Sequence, residues 1–142
     1  MVKYKKVLLP VDGSVSSRRA MDNAVSLSKI MNLEIVLLYV TGAIPVVITG
    51  TPRQEAENSQ KEEADVVLAP YREFLNDNKV SFNVMVVPAF RVWNRICKVA
   101  EEEKCDMIVM GSRGLGDWEG AMVGSVTHKV LAHCTIPVLV VR

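Results

Sequence analysis

Val7-Leu-Leu-Pro-Val-Asp-Gly-Ser14 is a short apolar run that stops at a glycine turn; Ala20, Ala24, Leu27 and Met31 then recur at helical spacing before Leu33-Glu-Ile-Val-Leu-Leu-Tyr-Val40. Val7 to Val11 is too short for a helix and reads as a fully apolar strand, after which the period changes to that of an amphipathic helix. The second run, Leu33 to Val40, is rich in β-branched residues and almost continuously hydrophobic. A strand of that kind is buried on both faces, as in a parallel sheet covered by helices. Strand, glycine turn, helix and strand therefore form the unit from which the rest of the chain is extended.

Thr41 to Thr51, with two glycines and a proline, is expected to be a loop, long for a strand-to-helix connection. Thr51-Pro-Arg-Gln54 has the form of a helix start, with Thr51 as cap, Pro52 at the first helical position and Gln54 three residues after the cap. That helix should run to about Asn78. Pro70 lies inside it and removes one backbone bond, a cost of about 3 kcal/mol unless the axis kinks, so a kink or two shorter helices are both expected outcomes. Val80 to Val87 is predicted as a third strand closed by Pro88. Val92, Ile96, Val99 and Ala100 form the apolar face of a helix ending at Glu101-Glu-Glu-Lys104, an acidic run that reads as a solvated helix face. Cys105 to Met110 is a fourth strand, Gly124 to His133 a helix and Ile136 to Val141 a last strand. The alternation specifies an α/β fold, a doubly wound five-stranded parallel sheet with helices on both faces. Ligands of such sheets sit beyond the carboxyl ends of strands where the strand order reverses, which points to Asp12 after strand one and Gly111 after strand four.

The chain has 142 residues, 49% of them hydrophobic and 23% charged, with 17 basic and 16 acidic side chains. That is the size of one domain, and the balanced charge offers no large field to nucleic acid, which is not expected as the main partner. Met1-Val-Lys-Tyr-Lys-Lys6 leads into only five or so apolar residues, too few for a signal-peptide core or a membrane span, so no membrane association and a cytoplasmic location are expected. Cys97, Cys105 and Cys134 are odd in number and lack C-x-x-C spacing. They are expected to be small buried thiols in a reducing compartment.

The chemistry concentrates at Gly111-Ser-Arg-Gly114, which follows the apolar run Met107 to Met110 and is separated by nine residues from Gly124-Ser125 at a helix start. A glycine turn on a strand end, facing a helix N-terminus, offers backbone N–H groups to an anion with no side chain in the way. The spacing is neither that of a P-loop nor G-x-G-x-x-G. Asp12, where the first strand meets its turn, can accept hydroxyl hydrogen bonds or bind a hard cation; its structural alternative is to cap the first helix. Ser125 is either a ligand-facing hydroxyl or a helix-start hydroxyl, and Arg113 either pairs with phosphate or is solvated. His128 and His133 are five residues apart rather than the four that align two ligands, so no zinc site is expected, and no G-x-S-x-G elbow for a serine nucleophile is present.

With Lys6-Val-Leu-Leu-Pro-Val-Asp-Gly-Ser14 at one end, Ile136-Pro-Val-Leu-Val-Val141 at the other and G-x-x-G, nine residues, G-S between them, the chain resembles the universal stress protein family of ATP-binding type. The resemblance covers residues 1–142 as one domain and implies a sheet ordered 3-2-1-4-5 with ATP lying across strands one and four. It implies that Pro10, Val11 and Asp12 line the adenosine side, with Asp12 near the ribose and available to a divalent cation, Mg or Mn. Val40 would pack on adenine. Met110, Gly111, Arg113 and Gly114 would follow the ribose and phosphates, and Gly124, Ser125 and Val126 would cap the phosphates. Asp117 and Glu119 depart from what a bare triphosphate prefers nearby, Phe90-Arg-Val92 stands where the family commonly has glycine and proline, and Tyr39 precedes Val40 where histidine is frequent.

The function so implied is an adenine-nucleotide-binding regulatory module that hydrolyses ATP slowly at most and conveys its bound state to an unknown protein partner. The alternative is an ATP-dependent nucleotidyl- or phosphotransferase on the same scaffold, although the H-I-G-H and S-G-G-x-D-S motifs of adenylate-forming folds are missing. In a 3-2-1-4-5 sheet the last strand is an apolar edge, so a homodimer through Ile136 to Val141 is expected, with Pro137 restricting the contact to Val138 to Val141.

Overall fold

The computed structural model describes residues 1–116 and 122–142. In chain order the elements are β1 (Lys6–Pro10), α1 (Val15–Met31), β2 (Glu34–Gly42), α2 (Gly50–Asp77), β3 (Phe82–Ala89), α3 (Val92–Glu102), β4 (Met107–Gly111), α4 (Ser125–His133) and β5 (Val138–Val141). The strands form one sheet in the order β3-β2-β1-β4-β5, and every pairing is parallel. This is the doubly wound architecture and strand order expected.

The two-residue period of the strands divides the core into two layers. Val7, Leu9, Ile35, Leu37 and Val109 face α1 and α2, meeting Ala20, Met21, Ala24 and Val25 on one helix and Ala64, Leu68, Tyr71 and Leu75 on the other. Leu8, Val36, Leu38, Ile108 and Met110 face the opposite way, onto Ile96, Val99 and Ala100 of α3 and Val130 of α4. β1 is central, and Val7, Leu8 and Leu9 have no exposed surface at all, which is why the run carries no polar residue.

Several boundaries differ from expectation for identifiable reasons. β2 extends to Gly42 because its ladder with β3 continues through Thr41 and Gly42, so the following loop is shorter than Thr41 to Thr51. The cap of α2 is Thr49, not Thr51, and its side chain makes no cap bond. Gly50, at φ +64°, makes the entry turn. Pro52 is the third helical residue, where a missing N–H is as harmless as at the first. α2 runs unbroken through Pro70 over 28 residues. The carbonyl deprived of its partner there is that of Val66, four residues earlier, and Val66 is 75% exposed, so water can satisfy it. The buried stripe Ala64, Leu68, Tyr71 and Leu75 holds the helix to the sheet on the other side.

Pro88 lies inside β3 rather than closing it, which an edge strand tolerates because one side of its backbone needs no ladder partner. β4 begins at Met107, since the Cys105 N–H turns back to the Ala100 carbonyl at 2.9 Å to close α3. β5 is Val138–Val141, shorter than Ile136 to Val141, and is the other edge.

The expectation of three free thiols is overturned. Cys97 of α3 and Cys134, which closes α4, form a disulfide with a Cα–Cα separation of 5.3 Å, while Cys105 is free and buried. Spacing along the chain carried no sign of it, because the packing of α3 against α4 is what brings together residues 37 apart. Trp93 and His133 stack across the same interface with ring centroids 4.5 Å apart. Among the described residues no helix is long and apolar enough to cross a membrane.

Candidate functional site

Three hydrogen bonds and one glycine turn build the end of β1. After Pro10, the Val11 N–H donates to the Leu38 carbonyl at 2.9 Å and extends the sheet by one residue. Gly13, at φ +85°, then reverses the chain, a conformation that favours glycine. Ser14 caps α1, its Oγ accepting the Ser17 N–H at 3.2 Å. Asp12 therefore is not the helix cap; its Oδ1 accepts the Ser14 N–H at 2.9 Å and closes a small side-chain turn.

The end of β4 is tied into the same region. Thr127 of α4 donates its Oγ1–H to the Gly111 carbonyl at 2.8 Å, and the Ser14 hydroxyl donates to the Arg113 carbonyl at 3.3 Å. The Ser112 N–H reaches the Val141 carbonyl at 2.7 Å, and the Ser112 carbonyl accepts the Gly124 N–H at 2.6 Å. The start of α4 is thus pinned to the end of its preceding strand, and the Gly124 N–H is committed to that bond. Gly111 must lack a side chain for a reason internal to the fold. A Cβ there would stand 2.6 Å from the Ser16 carbonyl carbon and 2.8 Å from the Ser17 nitrogen. The close approach is between β4 and the first turn of α1.

Between these strand ends lies a cavity of about 420 Å³, within the range of small-molecule sites. From β1 and β2 it is lined by Pro10, Val11, Asp12 and Val40, and from the β4 side by Met110, Gly111, Arg113, Gly114, Ser125 and Val126. Gly124 alone of the expected binding residues does not line it. The structure adds Ser17, Leu38 and Tyr39, Val92 and Ile96 of α3, and Leu115, Gly116 and Thr127. In the sequence Val92 and Ile96 read as the apolar face of a helix; periodicity shows that such a face is buried, not which cavity it borders. Asp117, Glu119 and Gly120 lie outside the described residues.

Leu38, Val40, Val92, Ile96 and Met110 make one part of the lining apolar, while Asp12, Arg113, Ser125 and Thr127 bring charge and hydroxyls. Asp12 is the one carboxylate and Arg113 the one guanidinium among the described lining residues. Such a lining can hold a flat apolar ring that carries hydroxyl and anionic groups. Burial pushes the Tyr39 phenol above its ordinary value, and the Glu63 carboxylate adds to the rise, so Tyr39 stays protonated at neutral pH. Phe90-Arg-Val92 forms the entry to α3 with Arg91 as an extended cap residue that makes no side-chain cap bond.

A second layer stands behind Asp12. Tyr71 of α2, fully buried, accepts the Gly13 N–H at 3.1 Å and donates to Ser17 Oγ at 2.9 Å, while Ser17 Oγ also accepts the Asp12 N–H at 3.2 Å. Sequence reasoning missed both side chains. One signal was available: a tyrosine on a buried helical stripe must find a partner for its hydroxyl.

Comparison with known proteins places this geometry in a family. Universal stress protein MJ0531 of Methanocaldococcus jannaschii is 32% identical over 146 residues, covering 98% of this chain and 82% of its own. Universal stress protein YxiE of Bacillus subtilis is 34% identical over 152 residues, covering 98% and 99%. The solved structure of MJ0577 of M. jannaschii superposes with a TM-score of 0.86 at 30% identity, over 99% of this chain and 96% of that one. Two more distant structures share the fold: a universal stress protein in complex with cAMP, with a TM-score of 0.70 at 22% identity, and an Arabidopsis thaliana family protein with AMP bound, 0.67 at 20%. These cover 99% and 96% of this chain and 98% and 90% of their own. The model of the family described as "Universal stress protein family" matches residues 3–142, and with the parallel 3-2-1-4-5 sheet and these relatives it shows that the chain belongs to the universal stress protein family.

Proposed function

We propose that this protein is an adenine-nucleotide-binding regulatory module of the ATP-binding type, a single domain over residues 1–142. The observation that carries the proposal is the cavity where strand order reverses, with Asp12 at the end of β1 and the Gly111 to Gly114 segment at the end of β4 both in its lining. Fold relatives described with AMP and with cAMP support the ligand class. Adenine would pack against Val40 and the apolar residues around it, the ribose would meet Asp12, and the phosphates would follow Gly111, Arg113 and Gly114 toward Ser125 and Val126 at the N-terminus of α4.

A hard divalent cation, Mg²⁺ or Mn²⁺, would draw one protein ligand from the described lining, the Asp12 carboxylate, and the rest from ligand phosphates and water. When bound, such a cation would neutralise phosphate charge. Asp12, Tyr39 and Arg113 are the titratable groups of the described lining, so it contains neither lysine nor histidine as a dedicated base. ATP turnover on this site would accordingly be slow at most, resting on charge stabilisation by Arg113 and Ser125.

A homodimer would form through the edge strand β5, where Leu139 is 37% exposed. The apolar tips Val46 and Val47 of the β2–α2 loop and Phe90 of the β3–α3 loop, all at the carboxyl edge of the sheet, offer contact surface to a protein partner that senses the bound state.

Thermal melting of nucleotide-stripped protein with ATP, AMP, cAMP and GTP, each with and without Mg²⁺, tests the assignment. A ligand at 100 times its Kd adds about 2.7 kcal/mol to stability. No upward shift with any adenine nucleotide, together with no nucleotide released when the purified protein is denatured, would refute it.

A further inference from the structure

We propose that Tyr71 is the positioning residue for Asp12 and thereby makes the cavity select ligands that carry ribose hydroxyls. The inference rests on the adenine-nucleotide proposal and adds to it a residue from a helix that does not itself line the cavity.

No residue of α2 appears in the described lining, yet the Tyr71 hydroxyl, with no solvent access, controls the turn that carries Asp12. It accepts the Gly13 N–H at 3.1 Å and donates to Ser17 Oγ at 2.9 Å. Ser17 Oγ in turn accepts the Asp12 N–H at 3.2 Å. The amides of two consecutive residues, Asp12 and Gly13, are therefore held through one phenol–hydroxyl pair. On the far side of the turn, Ser14 N–H holds Asp12 Oδ1 at 2.9 Å. With the backbone fixed before and after Asp12 and one carboxylate oxygen engaged, the side chain is left in a single orientation. A carboxylate only accepts hydrogen bonds and has about four lone-pair sites, so its remaining capacity favours a ligand bearing adjacent hydroxyl donors.

Burial pushes the Tyr71 phenol up, which keeps it protonated and able to donate over the whole neutral range. Tyr71→Phe keeps the ring that packs among Ala64, Leu68 and Leu75 and removes only the hydroxyl. Gly13 N–H then loses its acceptor, and Ser17 Oγ loses one of its two donors. The predicted consequence is a loosened turn and a carboxylate that no longer holds one orientation.

The test compares ATP with 2′,3′-dideoxy-ATP, by calorimetric titration, on the parent protein and on Tyr71→Phe and Ser17→Ala. The parent should prefer ATP by at least about tenfold, the scale of a hydrogen bond to a charged group. Both variants should shrink that preference to within about threefold, and Tyr71→Phe, whose side chain lies outside the lining, should leave dideoxy-ATP affinity within about threefold of the parent's. A side chain with a merely structural role would weaken both ligands equally or neither. Retention of the full preference in Tyr71→Phe, or an equal loss for both nucleotides, overturns the positioning role while leaving nucleotide binding intact. Binding of neither nucleotide by the parent refutes the adenine-nucleotide proposal and this one with it. Without any ligand, amide exchange at Asp12 and Gly13 should accelerate at least about tenfold in Tyr71→Phe as their acceptor system loosens. Unchanged exchange at both amides would also overturn the inference.

Discussion

Alanine at Gly111 should be among the most destabilising small changes this fold can suffer. The added Cβ would stand 2.6 Å from the Ser16 carbonyl carbon, 2.7 Å from Ser16 Cβ and 2.8 Å from the Ser17 nitrogen. Ordinary carbon contacts lie at about 3.5–4.0 Å, so the first turn of α1 has to withdraw by about 1 Å. Two of the three atoms are backbone and cannot rotate aside, which puts the cost in the upper part of the overpacking range, about 2–3 kcal/mol. With an unfolding entropy near 2.1 cal/mol/K per residue, a chain of this length should lose about 7–10 °C in Tm. Urea unfolding and calorimetry would measure both quantities. Gly42→Ala serves as control, since its Cβ would meet only Gln60 Nε2 at 4.0 Å, and it should stay within about 0.5 kcal/mol of the parent. If Gly111→Ala also stays within that margin, the close approach of α1 to β4 is not what requires glycine.

Two further predictions concern the cysteines. The Cys97→Ser/Cys134→Ser variant should lose about 4 kcal/mol in urea unfolding, the chain-entropy value for a closed loop of 37 residues, and a loss under about 1 kcal/mol would contradict that account. Thiol titration in denaturant should accordingly find one reactive group before reduction and three after it. Burial pushes the Cys105 thiol up from 9.0 to about 11. Between those values the unfolded chain releases the proton first, so the folded state binds more protons and stability falls as pH rises through about 9 to 11. Comparison of Cys105→Ala with the parent should isolate a difference on the order of 2 kcal/mol across that window, and identical pH profiles would refute the assignment.

The contrast between Pro10 and Pro70 shows what was legible in the sequence. Pro10 sits at the end of an uninterrupted apolar run whose burial on both faces follows from composition alone, so β1 was identifiable to within a residue. Pro70 sits in a helix whose survival depends on what packs behind it and on Val66 carrying its freed carbonyl into water, neither of which is a local property. Pro88 is similar: a proline ends a central strand but not an edge strand, and edge or centre is decided by sheet order.

The candidate site divides along the same line. Asp12, Gly111, Arg113, Gly114 and Ser125 stand at strand ends and helix starts that the alternating pattern places on one edge of the sheet. Val92 and Ile96 arrive from α3, and Tyr71 from α2, through packing across the sheet's faces. From the sequence Gly111 is a glycine that spares room for an anion; in the fold its bareness is required by α1. Gly124 was expected to offer its N–H to the ligand, and the fold uses that N–H to hold the Ser112 carbonyl.

Sequence by itself determined the parallel doubly wound sheet, the edge that carries the candidate site and the residues at the strand ends, because hydrophobic period and turn chemistry are local. Tertiary structure alone decided the disulfide between Cys97 and Cys134, the continuity of α2, the apolar wall of the cavity and the hydroxyl behind Asp12. Each of these depends on which helix covers which face of the sheet. That choice brings together side chains tens of residues apart, such as Gly13 and Tyr71, through contacts that no spacing rule encodes.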